Sequence, residues 1–361
     1  MTLFVTSVLP MGRWNMNKWY ENRGIDDDVV VSTQMTILRN LHNYDYAPKI
    51  TDSDSLKLIE EVSKAFYSEN ESYLKLYQFL RLDTLRRHQR AYWAEHQVID
   101  ESALEPERPQ ALIVSASQSS GLFINGDNHL QIRVVLRGRQ IGKAFERIQF
   151  LDEKMSRHLT YAYIKKYGHL TTAPADLGTG MHVSYLMRLP MTQKAGLIGA
   201  VNERLLQSGF AIRLVKDISS KNAGNIYEIY NKKTLGVTEG GILDTADSFA
   251  EQLIRQEREL RTAYLNEDSI SCADSAYKAY GILKYAKKLT IEEAVEALGY
   301  LDQGILSRTV LLNEKMDVFP MMIEIQPESL AEAVGHQMDI NEENCARAAY
   351  IQERLPELVR A

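Results

Sequence analysis

The feature that most restricts the fold is a succession of short strand-like runs between residues 111 and 230. They are Ala111-Leu112-Ile113-Val114, Gly121-Leu122-Phe123-Ile124, Leu130-Gln131-Ile132-Arg133-Val134-Val135-Leu136, Val183-Ser184-Tyr185-Leu186-Met187-Arg188-Leu189, Ala211-Ile212-Arg213-Leu214-Val215 and Asn225-Ile226-Tyr227-Glu228-Ile229-Tyr230. β-Branched and aromatic residues favour extended backbone in such runs. Asn125-Gly126-Asp127, Gly178-Thr179-Gly180 and Asn222-Ala223-Gly224 supply turn chemistry between them. Helical patterns over about 143–167 and 192–208 interrupt the series. A meander of strands with helices on one side predicts an α+β domain built on a mainly antiparallel sheet.

The flanks read differently. Leu56, Ile59, Val62, Ser63 and Phe66 recur at helical spacing after Asp52, Ser53 and Asp54, which are candidate caps. Leu74, Tyr77, Leu80, Leu82 and Leu85 continue that spacing. Residues 1–95 are therefore expected to form a small helical N-terminal domain, and 96–265 the antiparallel α+β domain. Within the first, VVVSTQMTILRN (29–40) has the form of an edge strand that carries Gln34 and Thr36 at alternate positions. A long helix over about 242–265 has Phe249, Leu253 and Leu260 on its apolar stripe. Residues 266–361 read as a helical C-terminal domain, with helices over 274–289 and 341–359 and a capping-box pattern at Thr290-Ile291-Glu292-Glu293.

Bulk properties exclude several classes. A net charge of −6 gives no global basic field, so neither nucleic acid nor a membrane surface is an expected partner. Two cysteines, Cys272 and Cys345, exclude a disulfide framework and fit reduced cytosolic thiols. No basic region precedes the brief apolar run at the N-terminus, so no signal peptide is expected. No run of about 18 apolar residues suggests a transmembrane helix. Phosphate-binding glycine loops, CxxC pairs and HExxH are absent, and the eight histidines do not cluster at ligand spacing.

Five stretches in order carry more: VSTQMTILRNL (31–41), YQFLRLDTLRRHQRAYWAEHQVI (77–99), GLFINGDNHLQI (121–132), YGHLTTAPADLGTGMHVS (167–184) and GFAIRLVK with NAGNIYEIYNKKTLGVTE (209–239). Together they resemble the ATP:guanido phosphotransferases, the fold of arginine and creatine kinases. SAYKAYGIL (275–283) and ARAAYIQERL (346–355) resemble the extra domain of the bacterial protein-arginine kinases within that family. The resemblance implies a phosphagen-kinase-like fold, Mg²⁺-ATP as cofactor, and transfer of a phosphoryl group to arginine side chains of proteins. That chemistry is demanding, because a guanidinium with a pKa of about 12.5–13.8 holds its proton and is a poor nucleophile. A carboxylate must orient and deprotonate it, and arginines with Mg²⁺ must offset the triphosphate charge.

In the family five arginines ring the phosphates. Their positions fall here on Gln34, Thr36, Gln131, His182 and Arg213, so one of five is retained. The catalytic Asn-Glu-Glu-Asp-His becomes Asn125-Gly126-Asp127-Asn128-His129, where Asp127 is the candidate base. The glutamate that pairs with the substrate guanidinium aligns near Ile218, and the reactive cysteine position is Ala173. His96 matches a family histidine near the adenine side. Arg133, His182 and Lys216 are the nearest replacements for lost positive charge. The phosphoarginine pocket of the C-terminal domain, an Arg-Asp-x-x-Arg-Ala motif, reads Glu343-Asn344-Cys345-Ala346-Arg347-Ala348, so Arg347 and Ala348 persist.

Each charge-assisted hydrogen bond contributes about 1.5–3 kcal/mol. Four lost arginines therefore remove on the order of 6–12 kcal/mol, with strong non-additivity. The expectation is a catalytically impaired relative, a pseudokinase that acts as a binding or regulatory subunit in protein quality control. The alternative is an active, divergent protein-arginine kinase with Asp127 as base and Arg213, Arg133 and His182 around the nucleotide. The resemblance further implies a bacterial cytoplasmic protein with a zinc-binding activator and a Clp-type unfoldase as partners, and a homodimer.

Overall fold

The computed structural model describes residues 17–68, 72–215 and 225–359. In chain order, β1 (Val30–Arg39) leads to α1 (Asp52–Tyr67), β2 (Tyr77–Arg81) and α2 (Arg87–Glu95). β3 (Ala111–Ser115), β4 (Ser120–Ile124) and β5 (Leu130–Arg137) form a meander, followed by α3 (Ile141–Ser156). The small hairpin β6 (Tyr163–Ile164) and β7 (Gly168–His169) precedes β8 (Met181–Arg188). Then come α4 (Pro190–Lys194), α5 (Ile198–Gln207), β9 (Phe210–Leu214), β10 (Ile226–Asn231) and the 29-residue α6 (Glu239–Glu267). The chain closes with α7 (Ser269–Tyr285), α8 (Ile291–Leu306), α9 (Val318–Glu324), α10 (Pro327–Val334) and α11 (Ile340–Arg354).

Eight strands make one sheet in the order β2-β3-β4-β5-β1-β8-β10-β9, and every paired neighbour is antiparallel. The α+β expectation therefore holds. The edge reading of 29–40 does not, because β1 lies between β5 and β8. Nor does the helical reading of 1–95, since β1 and β2 belong to the main sheet. The two signals missed it for separate reasons. In β1, Gln34 and Thr36 alternate with Met35 and Ile37, the pattern of a strand with one wet face, and nothing local shows that it has a neighbour on each side. Leu74, Tyr77 and Leu80 fit a helical period by coincidence, across a 3₁₀ turn and a five-residue strand.

The helical segments are shorter than the sequence suggests. α3 ends at Ser156, and the chain then turns into the β6–β7 hairpin. The 192–208 segment is two helices, separated around Gly196 at φ +71°. Thr51, rather than Asp52, Ser53 or Asp54, caps α1 by accepting from the Asp54 N–H. The Thr290–Glu293 capping box forms as read.

The period-2 alternation of the strands gives the sheet two different faces. One face carries Met35, Ile37, Ile132, Val134, Val183, Tyr185 and Ile229, which join α1, α3, α5 and α6 in the main core. On the other, Val31, Val135, Leu186 and Ile226 meet Phe319, Met322 and the other apolar residues of the C-terminal helices. The C-terminal helices cover one part of that second face, α2 and its flanking segments cover Leu112, Val114 and Phe123 at another, and the strand centres left between them form the floor of an open cleft of about 970 Å³. Among the described residues no helix is long and apolar enough to cross a membrane.

Candidate functional site

Strand register decides which side chains share the cleft floor. Thr36 lies opposite Arg133 on β5 and opposite His182 on β8. Leu38 faces Gln131, and Gln34 faces Val135 and Ser184. Glu228 lies opposite Leu186 and opposite Arg213. Residues directly opposite on antiparallel strands point the same way, so the five aligned positions 34, 36, 131, 182 and 213 reach one wall together. Asp127 lies on the same cleft, at the tip of the β4–β5 turn.

That turn is firmly held. Asn125 adopts φ +64° and its N–H donates to the His129 carbonyl. Asn128 Oδ1 accepts from Asn40 Nδ2 at 3.0 Å and from the Thr172 N–H at 2.9 Å. The fully buried His129 accepts the Leu41 N–H on Nδ1 and donates from Nε2 to the Asp45 carbonyl. The Asn128 bonds also bring the 172–173 segment, with Ala173, alongside Asp127. Asp127 itself is exposed.

Charge in the cleft is internally compensated. Arg133 donates from Nη1 to Asp100 Oδ1 at 2.9 Å and from Nη2 to Gln34 Oε1 at 3.0 Å. Gln131 Nε2 donates to the other Asp100 oxygen at 3.0 Å. Gln34 Nε2 in turn donates to Gln97 Oε1 at 2.6 Å. His182 Nε2 lies 3.0 Å from Asp176 Oδ1. Arg213 Nε donates to Glu228 Oε2 at 2.6 Å, and its guanidinium lies 5.0 Å from the Tyr230 ring centre. Burial pushes the Asp100 carboxyl up, but Arg133 and the Gln131 amide outweigh it and hold it below the usual carboxylate range. Glu95, Asp100, Asp127, Asp176 and Glu228 thus stand against Arg133, Arg213 and Lys232 among the described residues of the cleft lining.

Asp100, Asp176 and Glu228 are the residues that sequence reasoning missed. Asp100 and Arg133 are 33 positions apart, and nothing local marks their meeting. Glu228 was legible only as one residue of a strand, and its partner depends on the β9–β10 register.

Other expectations are corrected. His96 is buried and does not line the cleft. Its Nδ1 bonds Gln118 Oε1 at 2.5 Å and its Nε2 lies 3.1 Å from Ser329 Oγ on α10. Burial depresses its pKa to about 4, so the ring is neutral at physiological pH. It fastens α2 to α10 and is not placed to touch a nucleotide in the cleft. The neighbouring Glu95 accepts the Glu328 and Ser329 N–H groups at the start of α10, and burial pushes its pKa up to about 7.

Arg347 is fully buried, not open to a phosphoarginine. It donates to the carbonyls of Ile325 at 3.0 Å and Leu289 at 2.9 Å, to Asn344 Oδ1 at 2.8 Å, and to Glu343. Ala348 is buried in the same helical core. Glu343 therefore neutralises Arg347 rather than repelling a ligand. Lys216, Ile218 and the Asn222-Ala223-Gly224 turn lie outside the described residues.

The retained glycine and asparagine positions have visible structural work. Gly178 adopts φ +100°, and a Cβ there would stand 2.4 Å from the Thr234 carbonyl. Asn231 accepts the Val183 N–H at 2.7 Å and donates to the Met181 and Lys233 carbonyls at 3.0 Å. Arg39, at the end of β1, is buried and pairs with both oxygens of Asp152. These bonds knit the 177–183 and 231–234 segments to β1 and so fix the cleft wall.

Residues 57–260 match the ATP:guanido phosphotransferase, C-terminal catalytic domain family. Residues 269–360 match the protein-arginine kinase McsB C-terminal domain. A protein-arginine kinase of Brevibacillus brevis is 28% identical over 345 residues, covering 94% of this chain and 95% of the relative. One from Halothermothrix orenii is 28% identical over 343 residues, covering 94% and 97%. Among solved structures, a lombricine kinase superposes with a TM-score of 0.55 at 17% identity, over 66% of this chain and 68% of that one. A duplicated taurocyamine kinase from Schistosoma mansoni, with bound transition state analog components, matches with a TM-score of 0.55 at 17% identity. That match covers 69% of this chain, which spans about a third of the duplicated protein, 34%. At such identities the superpositions establish the fold.

Proposed function

The chain belongs to the ATP:guanido phosphotransferase family, and we propose that within it the protein is a protein-arginine kinase homologue that has given up efficient Mg²⁺-ATP phosphotransfer and acts by binding. The observation that carries this reading is the pairing of Arg133 with Asp100, His182 with Asp176 and Arg213 with Glu228. A triphosphate needs several cationic donors converging on it. Here each of these three groups already has a carboxylate, and Gln34, Thr36 and Gln131 offer no charge. An incoming polyanion would have to break these pairs and meet the released carboxylates at short range. The donor set among the described residues does not fit the triphosphate of ATP.

A binding or regulatory subunit is what an ordered scaffold around such a cleft supports. The proposed setting is bacterial cytoplasmic protein quality control, beside a zinc-binding activator and a Clp-type unfoldase, with a homodimer as the working unit. A second reading has one observation in its favour. Asp127 is exposed on a rigid turn facing the cleft, as a general base must be. In that reading the protein is a slow, divergent kinase.

Phosphotransfer from γ-labelled ATP to an arginine-rich protein acceptor separates the two. The proposal expects no label above a heat-inactivated control. Acid-labile, arginine-linked label that disappears in Asp127→Asn would establish the divergent kinase instead.

A further inference from the structure

On the sheet face opposite the cleft lies a second concavity, of about 440 Å³, between the β3–β4 hairpin and α3. Its floor is a run of serines, Ser115, Ser117, Ser119 and Ser120, and its wall includes Tyr77, Phe150 and Leu151. Ser120 pairs in register with Val134 and Ser115 with Tyr77, which sets these side chains on the α3 side of the sheet. The cavity is therefore independent of the cleft and of the function proposed for it.

The hydroxyls are wired together. Ser115 Oγ accepts the Ser120 N–H at 3.1 Å and lies 3.4 Å from Ser117 Oγ. Ser117 Oγ lies 2.8 Å from Ser119 Oγ, and Tyr77 OH lies 2.7 Å from Ser120 Oγ. Because Ser115 already accepts a backbone N–H, its own proton is best directed to Ser117, and that of Ser117 to Ser119. The Ser119 hydroxyl then has a proton to give outward. Arg147 Nη1 donates to the same Ser119 oxygen at 3.4 Å, and Arg147 has no ion pair with any described residue. Among the described residues Glu146 is the one carboxylate on the lining, and it is exposed. The Arg147 charge is felt inside the cavity, where it works against the upward push that burial exerts on the Tyr77 hydroxyl.

An apolar wall with a few converging donors is the usual form of a small-molecule site. We infer that this cavity binds a small ligand with an apolar body and one oxyanion head, carboxylate or phosphoryl. Arg147 and the Ser119 hydroxyl take the head, and Tyr77, Phe150 and Leu151 take the body. Arg offers a planar pair of N–H donors to either head group, which makes it the specificity-determining residue.

The test is calorimetry on the full chain with benzoate and phenyl phosphate as probes, benzyl alcohol as the neutral control, and inorganic phosphate as the head group alone. The inference predicts that at least one aromatic anion binds, that it binds more tightly than benzyl alcohol or inorganic phosphate, and that Arg147→Ala weakens it about tenfold or more. Arg147→Lys should recover part of the loss. Arg147 is exposed, so the variants should keep the parent circular dichroism and melting temperature. Equal affinity for benzyl alcohol, unchanged affinity in a folded Arg147→Ala, or no heat from either aromatic anion at about 10 mM would overturn it.

Discussion

The centre and the end of β1 behave in opposite ways. At its centre Gln34 and Thr36 stand on the cleft floor, where the family resemblance places arginines. At its end Arg39 is buried and held by both oxygens of Asp152. The difference shows what each arginine is for. Arg39 satisfies carbonyls of Leu38 and Thr179 inside the fold, and no neutral residue could do that while pairing Asp152. Side chains on the cleft floor answer to a ligand, and the sheet forms without their charge. The same contrast separates Gly178 and Asn231, which close the turns, from Asp100 and Glu228, which pair with Arg133 and Arg213 in the cleft.

The largest effect expected from this comparison is on stability. Arg39→Ala should cost about 3–5 kcal/mol in denaturant unfolding, because it leaves Asp152 unpaired beside buried carbonyls. A cost below about 1 kcal/mol would remove the distinction between the centre and the end of the strand.

The fastening of α2 to the C-terminal helices gives a pH dependence. His96 titrates at about 4 in the folded chain, below its unfolded value of about 6.5. The unfolded chain takes up that proton first, so the contribution of His96 is complete above about pH 6.5 and is lost as pH falls toward 4. The loss approaches about 3 kcal/mol at the acid end. Glu95 acts in the opposite sense, since its raised pKa favours the folded state at low pH and loses that as pH rises through about 7. Comparing stability–pH curves of the parent and His96→Gln isolates the histidine. The variant should decline less than the parent between about pH 6.5 and 4, and parallel curves would exclude the assignment.

Restoring the cleft sharpens the comparison from the other direction. Gln34→Arg, Thr36→Arg and Gln131→Arg together with Asp100→Asn should raise affinity for Mg²⁺-ATP by about tenfold or more per effective contact. If the reverted protein is folded and still does not respond to ATP, loss of positive charge does not explain the cleft. The smallest effect is expected for Arg213→Ala, whose own side chain is mostly exposed and whose loss should change unfolding free energy by less than about 0.5 kcal/mol.

Much of this was legible in the sequence, but unevenly. The strand runs between 111 and 230, the α6 helix and the capping box before α8 announced themselves through period and turn chemistry. β1 was legible as a strand but not as a central one, because its place between β5 and β8 depends on partners about 100 and 150 residues away. The five aligned cleft positions were identified from the family resemblance, and the register brought all of them to one wall. What neutralises them was hidden, since Asp100–Arg133 is a meeting of distant segments. His96 and Arg347 failed as ligand contacts for one shared reason. A motif match fixes where a residue falls in the chain, while burial by α10 and by the α8–α11 core decides what it can touch.

The most direct measurement of the central claim is calorimetric titration of the purified protein with Mg²⁺-ATP, with Arg213→Ala alongside. A cleft in which Arg133, His182 and Arg213 each face a carboxylate predicts no saturable heat up to millimolar nucleotide for either protein. Micromolar binding by the parent that is lost in Arg213→Ala would contradict it and establish a working nucleotide site.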